Sequence, residues 1–288
     1  MKSISLLAAI LLGILFPQLH LFSELISYLI TLLLFFSFLS IKIKIFYQNA
    51  FLVVLANICI PIAFYFIVLP FNPELASIAF ITAITPTALA SPAVAKFLNL
   101  NVEYVTFSVI LTNSVIAIAL PLILPLLIHP THAISTYTIF LSICQLFLIP
   151  LLLAQAVKLV IPQLSNFLLK LKNVPFLIWN ILLVLVSAKA TDFILHTETS
   201  PTKIIAIALI SLIICAVNFT IGKLIGGKQF SREASQSLGQ KNTMFTVWFS
   251  LTFLTPIVAL GPIFYIIYHN LYNSYQLMRN ENLGYRSN

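Results

Sequence analysis

Apolar residues fall in long runs separated by short polar gaps, and the runs have the length of bilayer crossings. Read in windows of about 20 residues, they cover roughly 3–16, 24–41, 50–69, 74–98, 102–128, 134–161, 174–195, 202–225, 231–252 and 256–278. The pattern predicts an all-α integral membrane protein with ten transmembrane helices. The first run begins at Met1-Lys2 like a secretory leader, but no small-residue cleavage site follows and Pro17 ends it, so it counts as a span.

Composition agrees with that class and adds an orientation. Of 288 residues 60% are hydrophobic and 8% charged, against about a quarter charged in soluble domains. Lys2, Lys42, Lys44, Lys96, Lys158, Lys170, Lys172, Lys223, Lys228, Arg232, Arg279 and Arg286 lie on the side of the termini, and only Lys189 and Lys203 on the other. Both termini are therefore expected in the cytoplasm, with the chain multi-pass in the cell (inner, cytoplasmic) membrane. The net charge of +8 belongs to these loops and not to a nucleic-acid surface.

A short repeat relates the halves. Phe16-Pro17-Gln18-Leu19 after span one recurs as Ile161-Pro162-Gln163-Leu164 after span six. Five spans per half is odd, so the second half is expected upside down relative to the first, a plan common in secondary transporters.

Two spans look interrupted. Span four carries Thr85-Pro86-Thr87-Ala88-Leu89-Ala90-Ser91-Pro92 in mid-membrane. Each proline removes a backbone donor and disfavours helix at the residue before it. Ser91 reads as the N-cap of a new half-helix whose N–H groups face a cavity. In span nine, Gly239 breaks the run and Gln240, Lys241, Asn242 and Thr243 follow. Interrupted segments in corresponding positions point to a binding site. A lysine near the bilayer centre costs roughly 3 kcal/mol on insertion scales, so Lys241 faces a cavity or a partner.

These residues carry a resemblance to the bile acid:sodium symporter family. The match runs nearly end to end: Leu12-Gly13-Ile14-Leu15-Phe16-Pro17-Gln18-Leu19, the Thr85-Pro86 to Ser91 segment with Asn101-Val102 after it, Gly239 to Asn242, and Tyr268-His269-Asn270. The resemblance implies a panel of spans 1, 2, 6 and 7 (residues 1–47 and 134–198). It implies a core of spans 3–5 and 8–10 (48–133 and 199–288), in which spans four and nine cross. It also implies alternating-access transport of small organic anions with sodium.

The sequence departs from the family at the sodium ligands. Thr87 and Ala88 replace two glycines, Leu89 a threonine and Pro92 an asparagine, while Thr85, Pro86 and Ser91 are kept. The span-five ligands fall on Val105 and Val109, and the span-three glutamine on Ala56, beside Asn57. Ser237 replaces a glutamate and Lys241 a glutamine. Sodium wants several oxygens, preferably with a carboxylate.

With those gone, the cation position (Ser91, Ser237, Gln240, Lys241) is expected to hold the lysine ammonium instead of an ion, and no other cofactor or metal is implied. The substrate is expected on backbone N–H groups around Thr85, Thr87, Ala88, Leu89 and Ser91, on Asn242 and Thr243, and on the charge of Lys241. Leu89, Phe245 and Trp248 would form an apolar side. The expected function is sodium-independent transport of a small organic anion. A buried lysine is also a candidate for proton coupling. The alternatives are a sodium symporter using backbone carbonyl ligands, and a receptor or channel-like membrane protein. An enzyme is not expected, because the spans offer one lysine and no paired carboxylate.

Four smaller expectations complete the reading. Cys59, Cys144 and Cys215 are taken as small core hydrophobes, and His129 and His132 as a solvated loop. Lys189 and Asp192 are taken as a local ion pair. His269, Asn270, Asn113 and Asn218 are taken as interhelical glue.

Overall fold

The structure, a computed structural model, describes residues 2–40, 47–128, 136–171, 173–196 and 199–282. Among these every regular element is helical. The α-helices are α1 (Lys2–Leu15), α2 (Leu25–Ser40), α3 (Ala50–Val68), α4 (Pro73–Ile84), α5 (Ser91–Phe97), α6 (Val102–Leu127) and α7 (Thr136–Val160), followed by α8 (Pro162–Lys170), α9 (Val174–His196), α10 (Pro201–Ile225), α11 (Gly227–Gly239), α12 (Thr243–Phe253) and α13 (Pro256–Asn282). A 3-10 segment, Pro17–Phe22, follows α1.

Five of these helices, α3, α6, α7, α9 and α10, are long and apolar enough to cross a membrane. α4 and α12 are apolar but shorter. α13 has 27 residues yet falls outside the five; it carries His269, Asn270, Asn273 and Gln276 on its length. Large apolar side chains such as Leu55, Phe66, Ile118 and Leu212 point outward, so these helices are apolar all round, as spans in lipid are.

The segments expected as spans four and nine are each two helices. α4 stops at Ile84 and α5 starts at Ser91; α11 stops at Gly239 and α12 starts at Thr243. The start of α5 differs from expectation in its cap. Ala90, already helical at φ −81° and ψ −11°, is the N-cap, and no side chain caps the helix. A turn in which Ser91 N–H donates to Ala88 O brings the chain into helix one residue early, leaving the Ser91 hydroxyl for another partner. α5 ends at a left-handed residue, Asn99 (φ 55°), where Leu100 N–H returns to Ala95 O.

The recurring Pro-Gln-Leu motif has one local form in both places. Phe16 (φ −121°, ψ 66°) and Ile161 (φ −132°, ψ 70°) precede a proline that opens a short helical segment.

The chain divides into two compact units. The first holds residues 1–42, 121–199 and 251–256, and in it α1 packs on α9 and α2 on α7. Gly13 sits so close to α9 that a Cβ there would lie 2.4 Å from Val184 O. Lys158 Nζ donates to Phe38 O at 3.0 Å. The Lys189–Asp192 pair is not formed: Lys189 donates to Ser23 Oγ, and Asp192 lies 3.5 Å from His20 Nδ1 and 3.0 Å from His196 Nδ1. Three residues apart on α9, the two side chains diverge toward different neighbours.

The second unit holds residues 43–120, 200–250 and 257–288, with α3 against α4 and α10 against α11. Its core gathers Ala79, Ala83, Val105, Ile214, Leu238 and Tyr265. The boundaries fall at 42/43, 120/121, 199/200, 250/251 and 256/257, where the sequence placed three, at 47/48, 133/134 and 198/199. Of the cysteines only Cys215 is buried; Cys59 is exposed, since a lipid-facing surface accepts the same apolar residues as a core. His129 and His132 lie outside the described residues.

Candidate functional site

The second unit brings the two helix breaks together. A break in a helix leaves the last carbonyls of one segment and the first N–H groups of the next without helical partners, and where they are buried they must be satisfied from within. Here each break satisfies the other. Thr87 and Lys241 form an isolated antiparallel bridge, with Ala88 N–H donating to Gln240 O at 2.8 Å and Asn242 N–H to Pro86 O at 2.7 Å.

Side chains complete the caps. Thr87 Oγ1 donates to Ser237 O at 2.6 Å and Tyr265 Oη to Gly239 O at 2.8 Å, covering two of the last carbonyls of α11. Thr85 Oγ1 covers Ile81 O and Thr82 O at the end of α4 and lies 3.0 Å from Thr246 Oγ1. From α6, Thr112 Oγ1 accepts from Thr87 N–H at 3.3 Å, and Asn113 Nδ2 donates to Thr87 O at 2.9 Å. Gly239 is required where α11 ends, because a Cβ there would meet the Phe219 ring at 2.3 Å.

This arrangement corrects the expected anion cradle. The N–H groups of Thr87, Ala88 and Ser91 are already engaged, so they do not form an open nest. Ala88 and Leu89 are partly exposed, while Thr85, Thr87, Ser91, Asn242 and Thr243 are buried. Phe245 is buried against Trp248 and Phe249.

Lys241 is 1% exposed, and its ammonium donates to Asn57 Oδ1 on α3. Among the described residues it has no carboxylate partner. Val105 and Val109, where the resemblance put sodium ligands, are buried carbon. No group of His, Cys, Asp or Glu that could hold a metal occurs among the described residues.

A second polar feature was not read from the sequence beforehand. Ser91 Oγ meets Gln240 Oε1 at 3.3 Å; Gln240 Nε2 donates to Gln236 Oε1 and reaches Asn273 Oδ1 at 3.5 Å; Gln236 Nε2 donates to Gln276 Oε1. The ladder runs from the crossing to partly exposed Gln276. The spacing of Asn273 and Gln276 on α13, three residues apart on one helical face, is the sequence signal for it.

The glue expectation divides. Asn218 Nδ2 donates across to Tyr265 Oη at 3.2 Å, and Asn113 holds the break, but Asn270 bonds Ile266 O on its own helix. His269 Nδ1 has no hydrogen-bond partner among the described residues, and its ring stands edge-on to Tyr265.

Comparison with family models and with curated proteins finds no match to this chain. The functional reading therefore rests on the residues and their geometry.

Proposed function

We propose that this chain is a secondary transporter of a small organic anion, of the bile acid:sodium symporter type and independent of sodium. In this reading it crosses the cell membrane ten times as two inverted five-helix repeats, with both termini in the cytoplasm. Lys241 carries the proposal. Its ammonium is buried where two broken helices meet, with an amide and, among the described residues, no carboxylate beside it. A buried charge without a counter-charge is strongly unfavourable, and an anion arriving at the crossing supplies the missing partner.

The sodium-free reading has separate support. Val105 and Val109 offer no oxygen, and the carbonyls of Pro86, Thr87, Ser237, Gly239 and Gln240 each already accept a hydrogen bond. The lysine then stands for the cation as a fixed charge.

The test compares thermal stability of the purified chain in sodium, potassium and choline chloride at matched ionic strength, for wild type and Lys241→Gln. An ion that binds only the folded state raises its stability by mass action. Equal stability of the wild type in all three salts is expected, with Lys241→Gln less stable. A rise specific to sodium in the wild type returns the reading to a sodium-coupled symporter.

A further inference from the structure

Asn57 and Lys241 are each 1% exposed, and their contact fixes the orientation of the amide. An ammonium only donates, so Asn57 turns Oδ1 to the lysine and Nδ2 away from it. That Nδ2 is sealed from solvent and has no hydrogen-bond partner among the described residues. Asn242, next to the lysine, also has an unpartnered Nδ2. Lys241 has three N–H donors, and Asn57 is its hydrogen-bond partner among the described residues. The N–H groups of Thr87, Ala88 and Ser91 are engaged within the crossing. Beside one buried positive charge two side-chain donors, Asn57 Nδ2 and Asn242 Nδ2, are thus left unpaired among the described residues.

Buried polar groups in folded proteins are paired in the great majority of cases. A group that would pair these donors must accept several hydrogen bonds and carry negative charge. We propose that Lys241 Nζ and Asn57 Nδ2 form a two-donor seat for the carboxylate of the transported anion, making Asn57 a specificity-determining residue. This deepens the transport reading and rests on it. A planar carboxylate offers one oxygen to each donor, and charge-assisted bonds to two donors add geometric selectivity. A halide, as a single sphere, lacks the second oxygen. The seat therefore prefers carboxylates to chloride.

The experiment measures melting temperature of the full-length purified chain against increasing choline acetate, choline pyruvate and choline benzoate, with choline chloride as reference. The wild type is expected to melt higher in at least one carboxylate than in chloride. Asn57→Asp places a carboxylate beside Lys241 within the chain itself. It is expected to fold, to melt no lower than wild type in chloride, and to lose the carboxylate response. Asn57→Gln keeps the amide and shifts it by one methylene. It is expected to weaken the apparent carboxylate affinity by about tenfold or more, as for a lost bond to a charged group.

A carboxylate response that survives both substitutions unchanged overturns the seat and leaves transport standing. A wild type that responds to none of the carboxylates also overturns the seat. Uptake of the same radiolabelled carboxylates into proteoliposomes, measured without sodium, then judges transport separately.

Discussion

Removing one oxygen, in Tyr265→Phe, tests the idea that the helix breaks are stabilised by mutual capping. The side chain is fully buried; its hydroxyl donates to Gly239 O at 2.8 Å and accepts from Asn218 Nδ2 at 3.2 Å. Phenylalanine keeps the ring and its packing, so the change isolates the polar terms. Gly239 O and Asn218 Nδ2 lose their partner, and Cys215 loses its contact with the hydroxyl. Gly239 O stands at the end of α11, beyond the reach of any helical N–H, and the Oδ1 of Asn218 is already unpaired.

An orphaned buried group costs about 1–3 kcal/mol in soluble proteins. Hydrogen bonds in membrane proteins average nearer 0.6 kcal/mol, because the unfolded chain in the membrane also finds partners. Two losses therefore bracket the effect at about 1–6 kcal/mol. Reversible unfolding in mixed micelles by SDS, followed by the fluorescence of Trp179 and Trp248, measures it. Asn218→Leu in the same background completes a double-mutant cycle. Once Tyr265 Oη is absent, removing Asn218 is expected to cost at least about 0.5 kcal/mol less than in wild type, the threshold above which sites count as coupled. Additive effects, or a Tyr265→Phe cost below the error of the assay, would refute the capping argument.

Three further outcomes are expected. Gly13→Ala forces a methyl against the backbone of α9, 2.4 Å from Val184 O and 2.8 Å from Ala188 N. It should destabilise by about 1–3 kcal/mol in the same SDS titration, while a neutral result would mean that α1 is not held tightly to α9. Asn99→Ala places a Cβ-bearing residue without a local hydrogen-bonding side chain at φ 55°. It should cost about 1 kcal/mol, with Asn99→Gly close to wild type. Lys203→Ala breaks a partly exposed pair with Glu74, and a change no larger than about 1 kcal/mol is expected.

The helices were legible where a local signal exists. Apolar runs marked the spans, and prolines at 86 and 92 with Gly239 marked the two breaks, because each acts on its own backbone. Partners across the fold were not legible. Thr112 and Asn113 bond Thr87 from 25 and 26 residues away, and Tyr265 reaches Gly239 from another helix. Periodicity states which face of a helix is apolar but does not name the neighbour. The Ser91 cap failed for a related reason. Serine before proline is a sound local signal, yet the turn from Ala88 started the helix first and freed the hydroxyl for Gln240. The same limit hid the relation between Lys241 and Asn57, which are 184 residues apart.

The mutual capping of the breaks also sets an order of events during synthesis. Thr87 is made 150 residues before Ser237, the carbonyl it caps. At about 5–20 residues per second, the first break waits on the order of ten to thirty seconds for its partner. Throughout that interval the carbonyl of Pro86 and the N–H of Ala88 must be held by water, by the insertion machinery or by a shallow position in the bilayer. The nascent chain is therefore most vulnerable to quality control while the ribosome is still between the two halves, and a chain ended before α11 retains that vulnerability permanently.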